Sequence, residues 1–127
     1  MAEIGTNSNS LKLLLSYRIL TWRKAVLEAV PEYGLTELYD CNKQLLLTRM
    51  LVNRLKKNKP RGKKLYWIIY TTYLSNQHLH NLNDVLTFIS KKYENIPRST
   101  YFRLRGQALK LLDNELENII NNNLKER

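Results

Sequence analysis

Cysteine occurs once in the sequence, at Cys41, so no intramolecular disulfide can staple the fold and a reducing cytoplasmic location is expected. Glycine and proline are also sparse, at four and three residues, and the glycines stand singly, which excludes a glycine-rich phosphate loop. The only histidines, His78 and His80, stand two apart in a polar segment. With Cys41 distant and no acidic cluster beside them, a metal site is not expected. No nucleophile stands with a base and no carboxylates are paired, so neither catalysis nor a cofactor is expected. Long apolar runs are missing too. The most apolar stretch, residues 65–74, is about half the length that crosses a bilayer, and no basic segment with an apolar run opens the chain. A membrane partner is therefore not expected.

Acidic residues are the last scarcity, 11 against 21 Lys and Arg, for a net charge of +10. Residues 1–53 are almost balanced, whereas residues 54–64 hold seven basic residues and no acidic one. Such a surplus favours a polyanion, because each Lys or Arg placed on a phosphate releases condensed counterions. The 127 residues suffice for one domain with one core. The expected division is a flexible start over residues 1–9, one helical domain over 10–121, and a frayed tail over 122–127. Within the domain, residues 10–57 form a helical N-terminal half, 58–64 a basic loop, and 65–121 a C-terminal half.

What is present is helical periodicity. Leu11, Leu15, Ile19, Trp22, Val26 and Val30 recur at spacings of three and four, predicting a first helix over residues 11–30 capped by Ser10 and ended by Pro31. Gly34 marks a turn. Thr36, Glu37 and Asp40 suit the start of a second helix, with Leu38, Cys41, Leu45, Val52 and Leu55 on one face and Leu46, Met50 and Leu51 widening it. Pro60 and Gly62 predict a basic loop over residues 54–64, where a phosphate clamp and a solvated linker are equally open readings. Residues 65–75 form a third helix, and Tyr66, Trp67, Tyr70 and Tyr73 beside Ile and Leu read as core rather than as a platform for single-stranded bases.

A polar loop over residues 76–82 precedes a short helix capped by Asn83, with Val85, Leu86, Phe88, Ile89 and Tyr93 as its apolar set. Asn95 suits a turn, and Pro97 suits the first position of a new helix, whose inward face is Tyr101, Leu104, Ala108, Leu111 and Leu112. The outward face holds Arg98, Ser99, Phe102, Arg103 and Gln107. Arg can donate twice to guanine, Ser can bond base edges or phosphate, and an aromatic ring can meet a thymine methyl. Candidate base contacts are therefore Arg98, Ser99, Phe102 and Arg103. Candidate phosphate contacts are Thr100, Arg105 and Lys110 on the same helix, Lys91 and Lys92 before it, and Lys59, Arg61, Lys63 and Lys64 in the basic segment. Asp113, Glu115 and Glu117 follow and would repel DNA, leaving Leu116, Ile119 and Ile120 to pack on a partner.

Residues 96–105, Ile-Pro-Arg-Ser-Thr-Tyr-Phe-Arg-Leu-Arg, followed by Ala108 and Leu109, resemble the recognition-helix signature of phage late-gene transcriptional regulators of the ArpU type. That signature is itself similar to the helix-turn-helix of sigma factor region four. The resemblance covers about residues 65–112 and implies an all-α, compact helical bundle with a C-terminal helix-turn-helix and a long recognition helix. It also implies a phage or prophage activator of a late operon that reads double-stranded DNA, with host RNA polymerase as a candidate partner. Helix-turn-helix proteins often dimerise, and helices one and two offer apolar surface for a homodimer. The competing reading is a helical interaction factor for a polymerase, packaging or host protein, with RNA binding third. The helix-turn-helix reading requires residues 92–96 to break the helix.

Overall fold

The computed structural model describes residues 8–30, 35–58, 60–75 and 81–125, with side chains to residue 122. Lys59, Gly34, His78 and His80, each given a role or weighed above, lie outside the described residues, as do residues 1–7 and 126–127. Five α-helices follow one another: α1 (Asn9–Ala29), α2 (Leu35–Arg54), α3 (Gly62–Ile69), α4 (Leu82–Lys92) and α5 (Arg98–Lys125). There is no strand among the described residues, and none of their helices is long and apolar enough to cross a membrane.

All five helices feed one core. Leu14 of α1, Leu51 and Val52 of α2, Leu65, Ile68 and Ile69 of α3, Val85 and Ile89 of α4, and Tyr101, Leu104, Ala108, Leu109 and Leu112 of α5 are buried together. The inward face expected of α5 is therefore the observed one, except that Leu111 is half-buried and Leu109 is fully buried.

Helix α1 departs from expectation at both its cap and its face. Ser8, not Ser10, caps it, accepting from the Leu11 amide at 3.0 Å. The choice is made by a distant residue: the Asp113 carboxylate of α5 accepts from Ser8 Oγ at 2.9 Å and from the Ser10 amide at 3.0 Å. A carboxylate on the positive end of a helix satisfies otherwise unpaired amides. Ser8 is therefore buried and α1 opens at Asn9, inside the stretch expected to precede the helical domain. The apolar stripe used to predict the helix also points outward, since Leu15, Ile19 and Trp22 are exposed. The inner face is a second stripe of Leu13, Leu14, Tyr17, Leu20 and Leu27. In α2 the expected face is right for Cys41, Leu45, Val52 and Leu55, while Leu46 and Met50 are exposed.

The expected basic loop is mostly helical. A 3-10 turn (Leu55–Lys57) extends α2, and Gly62, Lys63 and Lys64 form the first turn of α3. Only residues 58–61 separate them, because the chain folds back so tightly that a side chain on Gly62 would strike the Leu55 carbonyl and lie 2.7 Å from the Lys56 carbonyl oxygen. Helix α3 ends in a π turn (Tyr70–Leu74) closed by the Ser75 amide donating to the Tyr70 carbonyl at 2.9 Å. Asn81, not Asn83, caps α4, accepting from the Asp84 amide at 2.9 Å. Pro97 stands one place before α5, its carbonyl accepting from the Tyr101 amide at 2.9 Å. Helix α5 continues to Lys125, past the expected start of a frayed tail.

Candidate nucleic-acid interface

Between α4 and α5, residues 93–97 are not helical, so the required break is present. The Tyr93 amide closes α4 by donating to the Ile89 carbonyl at 2.8 Å, and Ile96 is buried as an anchor. Two contacts tie the break to α3. The Tyr93 ring stacks on Trp67 at 6.3 Å between centroids, and Lys64 Nζ lies 3.3 Å from the Glu94 carboxylate. The first turns of α3 therefore sit beside the connection that aims α5, which local sequence patterns cannot reveal.

The aromatic residues of α3 form a half-buried cluster rather than a sealed core. Tyr66 stacks on Tyr70 at 5.7 Å, Trp67 meets both edge-on, and Lys56 Nζ lies 4.1 Å over the Tyr66 ring. Because the rings cover one another, the cluster serves as a buttress between the basic segment and the break. Burial raises the Tyr66 hydroxyl above its ordinary pKa, with Tyr70 adding to the shift. Burial likewise raises Tyr73, opposed by the Arg105 guanidinium and reinforced by Tyr101.

Along α5, residues 99, 102, 103, 106 and 110 share one side at spacings of three and four. Ser99, Phe102, Arg103 and Lys110 are exposed there, spanning about 16 Å of helix. The opposite side is locked, with the Tyr101 hydroxyl 2.7 Å from Thr72 Oγ1 of the π turn. No acidic residue occurs from 95 to 112. Arg98 is exposed at the first turn, where its guanidinium donates to Asn83 Oδ1 at 3.4 Å, a long and readily exchanged bond. Arg105 is half-buried, its guanidinium 5.3 Å from the Phe102 ring and 5.9 Å from that of Tyr101. Thr100 is half-buried as well.

The expected phosphate set divides. Lys91 and Lys92 are exposed in the last turn of α4, where cations also suit the helix dipole. Arg61 and Lys63 are exposed at the start of α3, while Lys64 is engaged by Glu94. Lys56 was not among the expected residues, and its place beside Tyr66 depends on the fold-back at Gly62. The acidic residues downstream also differ from expectation. Asp113 accepts from Ser8 and the Ser10 amide at the start of α1, and Glu115 pairs with Arg54 at 2.9 Å, so both are engaged within the chain. Leu116 is likewise buried in the chain's own core, which leaves Ile120 exposed and Ile119 half-buried.

Cys41 is a buried free thiol whose Sγ lies 3.1 Å from the Leu20 carbonyl oxygen, and among the described residues no group of His, Cys, Asp and Glu could hold a metal ion. The chain matches no protein-family model, no curated protein and no solved structure.

Proposed function

We propose that this chain is a sequence-specific double-stranded DNA-binding regulator that lays the first four turns of α5 in the major groove. The observation that carries this reading is the exposed row of Ser99, Phe102, Arg103 and Lys110, free of acidic residues and backed by a locked inner face. Arg103 and Arg98 donate to guanine edges, Ser99 bonds a base edge, and Phe102 meets a thymine methyl. Arg98 exchanges its weak bond to Asn83 for the base. Arg105, steadied on the two rings, Thr100 and Lys110 bond phosphates. Lys91, Lys92, Arg61 and Lys63 hold the flanking backbone, which sets register without reading sequence, while Lys64 stays paired with Glu94. The resemblance of residues 96–105 to the ArpU-type signature supports a late-operon activator of a phage or prophage that works with host RNA polymerase.

The test is fluorescence anisotropy with a labelled duplex enriched from a random pool, compared with single-stranded DNA and single-stranded RNA. Tight duplex binding with a log–log salt slope of about −5, as expected for roughly six neutralised phosphates, supports the proposal. Stronger binding to either single strand, or no salt-dependent duplex binding at micromolar protein, refutes it.

A second reading, a protein-interaction factor, is favoured by one observation. Leu35, Tyr39, Leu46 and Met50 of α2 lie exposed along one stripe. Co-purification of a stoichiometric protein partner without duplex affinity would select this reading over the first.

A further inference from the structure

The outward stripe of α1 is the least expected surface of the molecule. Leu15, Ile19, Trp22 and Val26 are 61%, 68%, 70% and 36% exposed, directly opposite the helix's buried face. Their spacing of four, three and four is the seam spacing of paired helices, averaging 3.5 residues. Side chains of about 150–250 Å² with these exposures leave roughly 450 Å² of apolar surface in one strip. A strip of roughly 450 Å² falls within the range of the largest apolar patch on an ordinary monomer, and such patches are often functional.

We infer that a second copy of this chain packs antiparallel along α1, forming a two-fold dimer. In that register Ile19 of each copy faces Trp22 of the other, Leu15 faces Val26, and Lys12 faces Ala29. The match is isologous, as a two-fold axis requires. Charge selects the antiparallel direction. A parallel seam would oppose Arg18 of one copy to Arg23 of the other. The antiparallel seam sets Arg18 against Ala25 and Arg23 against Ser16. It also lays Lys12 beside the last turn of the other α1, which carries Glu28 and no basic residue. Within each copy Arg23 pairs with Glu37 at 3.4 Å, Lys24 pairs with Glu28 at 3.9 Å, and Arg18 donates to the Thr72 carbonyl at 3.3 Å. The total area, about 900 Å², lies below that of standard stable complexes, so the dimer is a weak, concentration-dependent one.

Sedimentation equilibrium of the full chain without DNA tests this, and its outcome is separate from that of the DNA reading. A reversible monomer–dimer equilibrium is expected with a Kd on the order of 10–100 µM. Trp22 emission should shift blue as the dimer fills. Ile19→Asp, on an exposed position, should abolish the dimer and leave the circular dichroism spectrum unchanged. Ala25→Glu places a carboxylate opposite Arg18 of the other copy and should tighten the dimer about threefold to tenfold. In a parallel seam Ala25 faces Val30 and nothing is gained. A wild-type chain monomeric throughout that range, a dimer that survives Ile19→Asp, or one indifferent to Ala25→Glu overturns the proposal.

Discussion

Replacing Gly62 with alanine should destabilise the protein even though alanine is the better helix former. Propensity alone favours the substitution by about 1 kcal/mol in a helix interior, and by less in a first turn. The fold-back reverses the sign. The new Cβ would lie 2.7 Å from the Lys56 carbonyl oxygen and 2.9 Å from its carbonyl carbon, and closer still to the Leu55 carbonyl oxygen. These are backbone atoms that cannot rotate away, so α3 must lift from the end of α2. Overpacking of this kind costs about 1–3 kcal/mol. The net loss is then about 1–2 kcal/mol, or a Tm lower by roughly 4–8 °C for a chain of this size. Thermal unfolding followed by circular dichroism reads it directly. Because α3 carries Lys63, Lys64 and Trp67, lifting it should also loosen the Trp67–Tyr93 stack, visible as a red shift of Trp67 emission. An alanine variant as stable as the wild type would refute the close approach at Gly62.

Three further outcomes follow from the packing. Asp113→Ala removes the acceptor of two bonds at the start of α1 and should cost about 1–3 kcal/mol, with faster amide exchange confined to the first turn of α1. Thr71→Val should raise the urea midpoint by the equivalent of about 1 kcal/mol, because Thr71 Oγ1 is buried without a partner; a lower midpoint would contradict this. Tyr66 and Tyr73 have hydroxyls raised above 10.0 by burial, so their contribution is fully present below that pH. It is lost as pH rises from 10.0 through the higher folded values, so urea midpoints should fall above pH 10, less steeply in Tyr73→Phe.

The helices themselves were legible from spacing, since each expected helix exists within a few residues. Direction was not. In α1 the sequence offers two apolar stripes, Leu15-Ile19-Trp22-Val26 and Leu13-Leu14-Tyr17-Leu20-Leu27, and periodicity cannot say which one meets the core. Caps failed for a related reason. Ser8 and Ser10 are equally good caps locally, and the Asp113 carboxylate, more than one hundred residues away, decides between them. The break between Lys57 and Gly62 was legible from Pro60 and Gly62, whereas its extent was not, because Gly62 opens α3 and permits close contact with the end of α2. The outward residues of α5, apart from the half-buried Gln107, were legible because the 3.6-residue period separates them from Tyr101, Leu104, Ala108 and Leu112. Their support was hidden, as Lys64–Glu94 and Trp67–Tyr93 join segments far apart in the chain.

The central claim is that α5 reads base edges while the surrounding lysines hold phosphates. Its most direct test compares Arg103→Ala and Lys63→Ala on a selected duplex and on a scrambled one. Arg103→Ala should lose about 1–3 kcal/mol on the selected duplex and little on the scrambled one, relaxing preference at one base pair. Lys63→Ala should weaken both equally and reduce the salt slope by about 1. Equal losses on both duplexes for both variants would contradict the account.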